Sequence, residues 1–134
     1  MTNDVRPEID VLLVEDEPSV QRVMVQVLMQ AGYTVHAVGD GTTALQQLGE
    51  HRYRAIVCDV ALPIMGGIQF VRELESRDPD QAARVLFVTG AVESPDAGAF
   101  FEVAKYPVIA KPYELKDLVG MVARLVDRRP AILP

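Results

Sequence analysis

Five polar side chains in this sequence fall at the ends of short apolar runs, and their types suit phosphoryl chemistry. Glu15 and Asp16 follow one run, Asp59 and Lys111 follow two others, and Thr89 closes a fourth. Because the carboxyl ends of parallel strands share one edge of a sheet, we expect these side chains to converge there. Three carboxylates would hold a hard cation, and a phosphoryl group would fit between that cation, the hydroxyl and the ammonium.

The apolar runs alternate with segments of helical periodicity, and this alternation predicts the elements that position the polar residues. Strands are predicted at Val11–Val14, Thr34–Val38, Ala55–Cys58, Val85–Val88 and Val108–Ala110. Five helices are predicted at Pro18–Ala31, after Asp40-Gly41, after Gly66-Gly67, from Ser94-Pro95 to Ala104, and over the last apolar segment from Leu115 to Val126. Such alternation, with strands that are apolar throughout, predicts a doubly wound α/β domain around a five-stranded parallel sheet.

Helical spacing of apolar residues predicts which faces of the first and last helices pack inward. The predicted inward residues are Val20, Val23, Met24, Val27 and Leu28 in the first helix, and Leu115, Leu118, Val119, Val122, Leu125 and Val126 in the last.

Composition limits the classes of function. The chain has 134 residues, of which 49% are apolar, so we expect one globular domain over residues 9–129, with flexible tails at 1–8 and 130–134. A net charge of -6 argues against direct binding to nucleic acid or to an anionic membrane. No apolar stretch approaches the ~20 residues of a membrane span, and no signal peptide is recognised, so a cytoplasmic location is expected. The single cysteine, Cys58, is expected to be buried and inert.

The segment Asp59-Val60-Ala61-Leu62-Pro63-Ile64-Met65-Gly66-Gly67 resembles the phosphoacceptor loop of response-regulator receiver domains, the CheY-like superfamily. Glu15-Asp16, Thr89-Gly90 and Lys111-Pro112 resemble the other signature positions of that family, in the same order and on strand ends. The resemblance covers Ile9 to Arg128. It implies a flavodoxin-like fold with strand order 2-1-3-4-5 and five helices, and a cis peptide bond between Lys111 and Pro112.

The resemblance also implies the acceptor and the metal ligands. Asp59 would be the nucleophile, attacking the phosphorus of a phosphohistidine to form an acyl phosphate. Asp16, Asp59 and the backbone carbonyl of Ala61 would hold Mg²⁺, and Glu15 would reach the ion through water. The cofactor expected for this chain is therefore Mg²⁺.

Thr89 and Lys111 would complete the site by binding phosphoryl oxygens, and Lys111 would pair with Asp59 before phosphorylation. The implied function is that of a two-component receiver, which catalyses only its own phosphorylation and dephosphorylation. Its phosphodonor would be a sensor histidine kinase or a histidine phosphotransfer protein. Phosphorylation would then switch the binding of a downstream protein target or relay the phosphoryl group.

Two surfaces are candidates for contact with these partners. Val25 and Met29 lie on the far side of the first helix, where they are either scattered surface residues or a docking patch for a helical phosphodonor. Phe101 and Tyr106 suggest a face made by the fourth helix, fifth strand and fifth helix, which in the family commonly forms homodimers. Val108 departs from the family, which usually has a mobile aromatic residue there; Tyr106 either substitutes for it or has no signalling role.

Ordinary structural roles and three rival functions are the alternatives to this interpretation. Each polar residue alone has a routine use, such as helix capping by Glu15 and Asp16, so the prediction depends on all of them lying at strand ends. A flavodoxin-type electron carrier would need a phosphate-cradling loop, which the acidic Glu15-Asp16-Glu17 opposes. A phosphatase of the aspartate-nucleophile class would need a second acid at Ala61. A degenerate receiver that binds partners without phosphorylation is the main alternative.

Overall fold

The computed structural model of the chain describes residues 4–90, 100 and 106–127. A five-stranded, all-parallel sheet lies between two layers of helices, and its strand order is β2-β1-β3-β4-β5. The strands are β1 (Glu8–Val14), β2 (Val35–Val38), β3 (Arg52–Asp59), β4 (Val85–Thr89) and β5 (Val108–Ala110). The helices are α1 (Pro18–Gln30), α2 (Gly41–Glu50), α3 (Gly67–Arg77), α4 (Pro79–Ala82) and α5 (Leu115–Val126). The predicted doubly wound architecture and strand order are confirmed.

Alternate residues of the three central strands point into two separate cores. Leu12 and Ile56 face the layer of α2 and α3, whereas Leu13 and Val57 face the layer of α1 and α5. All four side chains are fully buried. Burial on both faces explains why these strands read as unbroken apolar runs.

Two residues predicted to face inward are exposed instead. Val23 of α1 is 48% exposed and Leu115 of α5 is 39% exposed. Both line a groove between α1 and the start of α5, where the helices face each other and not the sheet. Met24 and Leu28 of α1 are buried as predicted, because they are the α1 residues that reach the sheet.

Two helices differ from the sequence prediction. The short α4 was not predicted, since a single turn is too short to show a helical period. Asp78 caps it by accepting a hydrogen bond from the amide of Gln81 at 3.4 Å. The helix predicted from Ser94-Pro95 to Ala104 lies outside the described residues, with the exception of Phe100.

Residues 4–8, which belong to the segment expected to be a flexible tail, make contacts with the domain. Strand β1 already begins at Glu8, and the carbonyl of Pro7 accepts a hydrogen bond from the amide of Arg52 at 2.9 Å. The Arg6 guanidinium pairs with Asp4 at 2.6 Å and with Asp78 at 3.0 Å. These contacts lie at the end of the sheet that carries the amino termini of the strands.

None of the helices in the described ranges has the length and apolar character needed to cross a membrane.

Candidate functional site

Asp59 is the last residue of β3, the central strand of the sheet, and its side chain is fixed from two directions. Its Oδ1 accepts a hydrogen bond from the amide of Ala61 at 2.9 Å, and its Oδ2 lies 3.1 Å from Nζ of Lys111. Only 6% of Asp59 is exposed. A buried polar group needs hydrogen-bond partners, and here each carboxylate oxygen has one.

Lys111 reaches Asp59 from two strands away. Its backbone amide donates to the carbonyl of Thr89 at 2.8 Å, which fixes the start of the side chain beside the end of β4. Burial acts to lower the pKa of Lys111, but the hydrogen bond and negative charge of Asp59 outweigh it, and the pKa lies above its ordinary value. The lysine is therefore a fixed positive charge at this edge. The predicted cis peptide bond between Lys111 and Pro112 is present.

Two further carboxylates lie beside Asp59. Oxygens of Glu15, Asp16 and Asp59 all lie within 4.8 Å of one another. Glu15 is buried, and its Oε2 accepts a hydrogen bond from the amide of Glu17 at 3.0 Å, whereas Asp16 is exposed. Burial raises the pKa of Glu15, and the neighbouring charge of Asp59 raises it further. The predicted convergence of the three acids is thus present in the structure.

This cluster has the donor set of a hard divalent cation. Three carboxylates face one ammonium among the described residues, so negative charge remains to be balanced. The three carboxylate oxygens lie close enough together that one small divalent cation could be shared among them. Carboxylate oxygens together with water are what Mg²⁺ prefers, so the residues present fit this ion.

Thr89 lies at the end of β4, between the other two strand ends. It is buried, and its backbone pairs with Ala110 of β5 while the preceding Val88 pairs with Asp59. The strand register therefore carries Thr89 to the same edge as Asp59 and Lys111, as the sequence predicted. Its hydroxyl lies 3.4 Å from the carbonyl of Gly90.

The loop after Asp59 ends at Gly67, a residue whose importance is steric and does not follow from the polar side chains of the site. The amide of Gly67 donates to the carbonyl of Val60 at 3.0 Å, which brings the first residue of α3 against the end of β3. A Cβ at Gly67 would lie only 2.5 Å from the carbonyl oxygen of Asp59. Only glycine permits this close approach.

Two supporting residues carry no recognisable signal in the sequence. The side-chain Nε2 of Gln21 in α1 donates to the carbonyls of Glu15 at 2.9 Å and Val38 at 3.1 Å, so it holds the end of β1 beside β2. Tyr113 follows Pro112 and is half-buried beside α1 and α5. Gln21 therefore helps to set the position of Glu15 through the backbone of that residue.

Cys58 directly precedes Asp59 and is fully buried, as predicted. Burial raises the pKa of its thiol, and the charges of Asp59 and Glu15 raise it further. Since the thiolate is the reactive form, this environment disfavours reaction of Cys58 in the folded protein.

The region around Val108 contains an aromatic cluster in place of a single mobile ring. Val108 is partly buried in the core, two residues after Tyr106. The Tyr106 ring stacks on Phe100 and meets Phe87 edge to face, with centroids 6.0 Å and 5.5 Å apart. Its hydroxyl donates to Glu75 of α3 at 2.5 Å. Tyr106 therefore links α3 to the start of β5.

The two predicted partner surfaces are described only in part. On α1, Met29 is 58% exposed and lines a shallow groove with Val25, although Val25 also packs against the core. Val25 is therefore less available than the sequence suggested. Phe101, which was expected to form part of a dimer face, lies outside the described residues.

Comparison with known proteins agrees with this geometry. The family model described as "Response regulator receiver domain" matches residues 11–123. The response regulator receiver protein CpdR of Brucella abortus is 31% identical over 87% of this chain and 95% of its own length. The sensor kinase CckA of the same organism is 36% identical over 89% of this chain, but the match spans 13% of that protein.

Solved structures give the same answer. The receiver domain of a signal transduction histidine kinase from Syntrophus aciditrophicus superposes with a TM-score of 0.79. It is 27% identical, and the match covers 94% of this chain and 98% of that domain. With the sheet order, the acidic cluster and its lysine in place, the chain belongs to the response-regulator receiver domain family of two-component systems.

Proposed function

We propose that Asp59 of this receiver accepts a phosphoryl group from the phosphohistidine of a histidine kinase or a histidine phosphotransfer protein. The observation that carries the proposal is the position of Asp59, whose two carboxylate oxygens are held separately by the amide of Ala61 and the ammonium of Lys111. Beside it lie the two further acids Glu15 and Asp16. A buried carboxylate whose oxygens are held in a fixed orientation is suited to act as a nucleophile.

In the transfer, a bond forms between a carboxylate oxygen of Asp59 and phosphorus while the phosphorus–nitrogen bond of the donor breaks. The released imidazole nitrogen keeps the bonding electron pair and takes up a proton. The attacking atom is the carboxylate oxygen of Asp59 itself. The contribution of the chain is therefore to orient this carboxylate and to balance the charge that gathers around it.

Mg²⁺ would be held by Asp16, Asp59 and the carbonyl of Ala61, with Glu15 contributing through water. When bound, this ion supplies positive charge that offsets the acids and the incoming phosphoryl oxygens. Asp16 is exposed, so water could reach an ion held by its carboxylate. The carboxylate of Glu15, in contrast, is buried and held by the amide of Glu17. This division suits an ion that keeps several water ligands.

Lys111 and Thr89 would bind the transferred group. The ammonium of Lys111 lies on the Oδ2 side of Asp59, where it neutralises one phosphoryl oxygen after transfer. The hydroxyl of Thr89 would donate to another oxygen. Because Val108 cannot act as a rotating aromatic, we expect any output signal to pass through the cluster of Tyr106, Phe87 and Phe100.

Kinase docking at α1 and dimer formation through the face next to β5 are further parts of this proposal. The groove beside Val25 and Met29 favours the first, since it lies on the helix that follows the acidic residues Glu15 and Asp16. The alternative is a degenerate receiver that binds partners without phosphorylation. Val108 favours that alternative, but the complete set of acids, threonine and lysine favours a working acceptor.

Intact-mass measurement after incubation with acetyl phosphate tests the proposal. We expect one phosphoryl adduct that forms with Mg²⁺, is lost in the presence of a chelator, and is absent in Asp59→Ala. Far-ultraviolet circular dichroism of the variant checks that it is folded. A folded protein that gives no adduct with acetyl phosphate or phosphoramidate would favour the phosphorylation-independent module.

A further inference from the structure

A small pocket opens between α2 and α3, at the end of the sheet opposite the acidic cluster. Its volume is about 200 Å³, which is room for about seven water molecules or for a short hydrocarbon chain. The residues that line it come from the carboxyl-terminal turns of both helices, from the residue after α3 and from the segment before β1. This cavity, the α2–α3 pocket, is therefore separate from the proposed phosphorylation site.

One side of the α2–α3 pocket is apolar. It is formed by Leu45 and Leu48 of α2 and by Leu74 of α3, none of which is more than 8% exposed. The same side chains belong to the core beneath the pocket, so close packing fixes the shape of this apolar surface. Ligand sites in proteins are typically concave and apolar, with a few polar groups that orient the ligand.

Gly49 of α2 also lines the pocket, and the fold does not require glycine there. Its φ is not positive. Apart from its chain neighbours and the backbone of its own helix, a Cβ at Gly49 would meet no heavy atom of the described residues within 4 Å. Glycine weakens a helix relative to alanine, so its presence has a cost. A larger side chain at this position would take up space in the pocket, which glycine leaves open.

Arg6 forms a fixed part of the polar side of the pocket. Its guanidinium donates to Asp4 at 2.6 Å, to Asp78 at 3.0 Å and to the carbonyl of Leu48. The carboxylate of Asp78 is in turn occupied, because its other oxygen accepts from the amide of Gln81 at 3.4 Å. The charges of Arg6 and Asp78 therefore offset each other at the edge of the pocket.

Arg77 is the second cation that lines the pocket, and it is loosely paired. Its side chain is 60% exposed, and its ion pair within the described part of the chain is with Glu73 at 3.5 Å. An exposed pair of this kind contributes little to stability, so the guanidinium is able to exchange this partner for a ligand. A guanidinium binds one carboxylate through two parallel hydrogen bonds.

We propose that the α2–α3 pocket binds a small carboxylate with an apolar body of about six carbon atoms. The body packs against the three leucines, and the carboxylate pairs with the guanidinium of Arg77. A dianion would need more positive charge than the pocket has once Arg6 is paired. Because the pocket and Asp59 lie at opposite ends of the sheet, the inference does not depend on phosphorylation of Asp59.

Three probes separate the apolar contact from the charge. Hexanoate has both features, acetate has the carboxylate without the body, and hexan-1-ol has the body without the charge. Each is titrated at constant ionic strength into the full chain labelled with ¹⁵N, and the amide signals of the residues around the pocket are followed by NMR. Circular dichroism checks that every variant is folded.

Two variants alter the pocket, and each has a matched control on the opposite face of the sheet. Gly49→Leu fills the pocket, and Gly120→Leu makes the same change in α5, where an added Cβ also has open space. Arg77→Ala removes the guanidinium, and Arg124→Ala removes an exposed arginine from the last turn of α5.

We expect hexanoate to shift the pocket signals with a dissociation constant on the order of 1 mM, the affinity typical of a ligand of about eight non-hydrogen atoms. Acetate and hexan-1-ol should bind at least about tenfold more weakly. Arg77→Ala should weaken hexanoate binding by about tenfold and leave hexan-1-ol unaffected, whereas Gly49→Leu should abolish binding of both. The two control variants should bind hexanoate as the unaltered chain does.

Four results would overturn the inference. The first is the absence of saturable shifts around the pocket with hexanoate, and the second is equal binding of hexanoate and hexan-1-ol. The third is unchanged hexanoate binding in Arg77→Ala, a variant of an exposed residue that is expected to fold. The fourth is a shift of the same signals with protein concentration alone, which would assign the pocket to a second copy of the chain.

Discussion

The ammonium of Lys111 and the carboxylate of Asp59 are 3.1 Å apart although their strands, β5 and β3, are separated by β4. The lysine side chain therefore passes the end of β4, where the amide of Lys111 is bonded to Thr89. In this position it neutralises the carboxylate of Asp59 and would compete with a metal ion for it.

Replacing Lys111 should separate these two effects. We expect Lys111→Ala to bind Mg²⁺ more tightly, because a competing cation is removed from Asp59. The same variant should be phosphorylated by acetyl phosphate roughly tenfold more slowly or worse, because a charge that binds the phosphoryl oxygens is lost. Calorimetric titration with MgCl₂ and a mass-spectrometric time course measure the two quantities. Lys116→Ala is the control, since this lysine is 77% exposed and its ion pair within the described part of the chain is with Glu114.

Gly67 should be intolerant of a side chain. Alanine there would place Cβ 2.5 Å from the carbonyl oxygen of Asp59 and 3.0 Å from Cα of Val60, both of which are backbone atoms. We expect Gly67→Ala to lower the free energy of unfolding by about 1–3 kcal/mol and to slow phosphorylation, because the acceptor strand must shift.

Gly120 in α5 is the matched control for this change. Apart from its chain neighbours and the backbone of its own helix, a Cβ there meets no heavy atom of the described residues within 4 Å. Gly120→Ala should therefore stabilise the protein by about 0.5–1 kcal/mol, the usual gain in a helix interior. Urea denaturation measures both variants, and equal effects at the two glycines would contradict the crowding at Gly67.

Gln81 of α4 should be a major stabilising residue although it is polar. It is fully buried, and its side-chain amide both accepts from the amide of Tyr53 at 2.7 Å and donates to the carbonyl of Tyr53 at 3.0 Å. Gln81→Ala would leave both buried backbone groups of Tyr53 without these partners, so we expect a loss of about 2–4 kcal/mol. The neighbouring Asp80→Ala should change stability by less than about 0.5 kcal/mol, because Asp80 is exposed.

Acid should destabilise the protein through His36. Its Nδ1 lies 2.8 Å from the hydroxyl of Tyr53, and its ring meets His51 edge to face at 4.8 Å. The Nδ1 of His51 is itself buried without a hydrogen-bond partner among the described residues. Burial lowers the pKa of His36 below its ordinary value of 6.5, and the neighbouring imidazole of His51 lowers it further.

The sign of the pH effect follows from this direction. The unfolded chain binds the proton more readily than the folded one, so stability is fully retained above pH 6.5 and declines as the pH falls through that value. The raised pKa of Glu15 acts in the opposite sense, because the folded state then takes up the proton more readily. As the pH is lowered from 7.5 to 5, the midpoint of urea denaturation should therefore decrease less steeply in His36→Asn than in the unaltered chain. Parallel profiles would exclude His36 as the cause.

The sequence was sufficient to predict the sheet and the cluster of acids because both depend on periodic or terminal positions. Unbroken apolar runs identified the strands, and the residues at their ends identified Glu15, Asp59 and Lys111. The burial of Val23 was wrongly predicted, because helical spacing does not distinguish a face on the sheet from a face toward another helix.

Several supporting features depend on tertiary contacts that leave no local pattern. The link from Gln81 to Tyr53 joins residues 28 positions apart, and the one from Tyr106 to Glu75 joins residues 31 positions apart. The left-handed conformation of Ile64, whose φ is +69°, runs against the preference of its own residue type. Family resemblance predicted the roles of the site residues, but not these supporting contacts.

Cys58 gives the phosphoacceptor strand a built-in reporter of its opening. It is the only cysteine in the chain, it precedes Asp59, and it is inaccessible in the folded state. A thiol reagent can therefore label it only in molecules whose β3 has transiently separated from its neighbours. The labelling rate, followed with and without Mg²⁺ or a phosphoryl group, would report how strongly each ligand holds that strand in the sheet without any substitution in the protein.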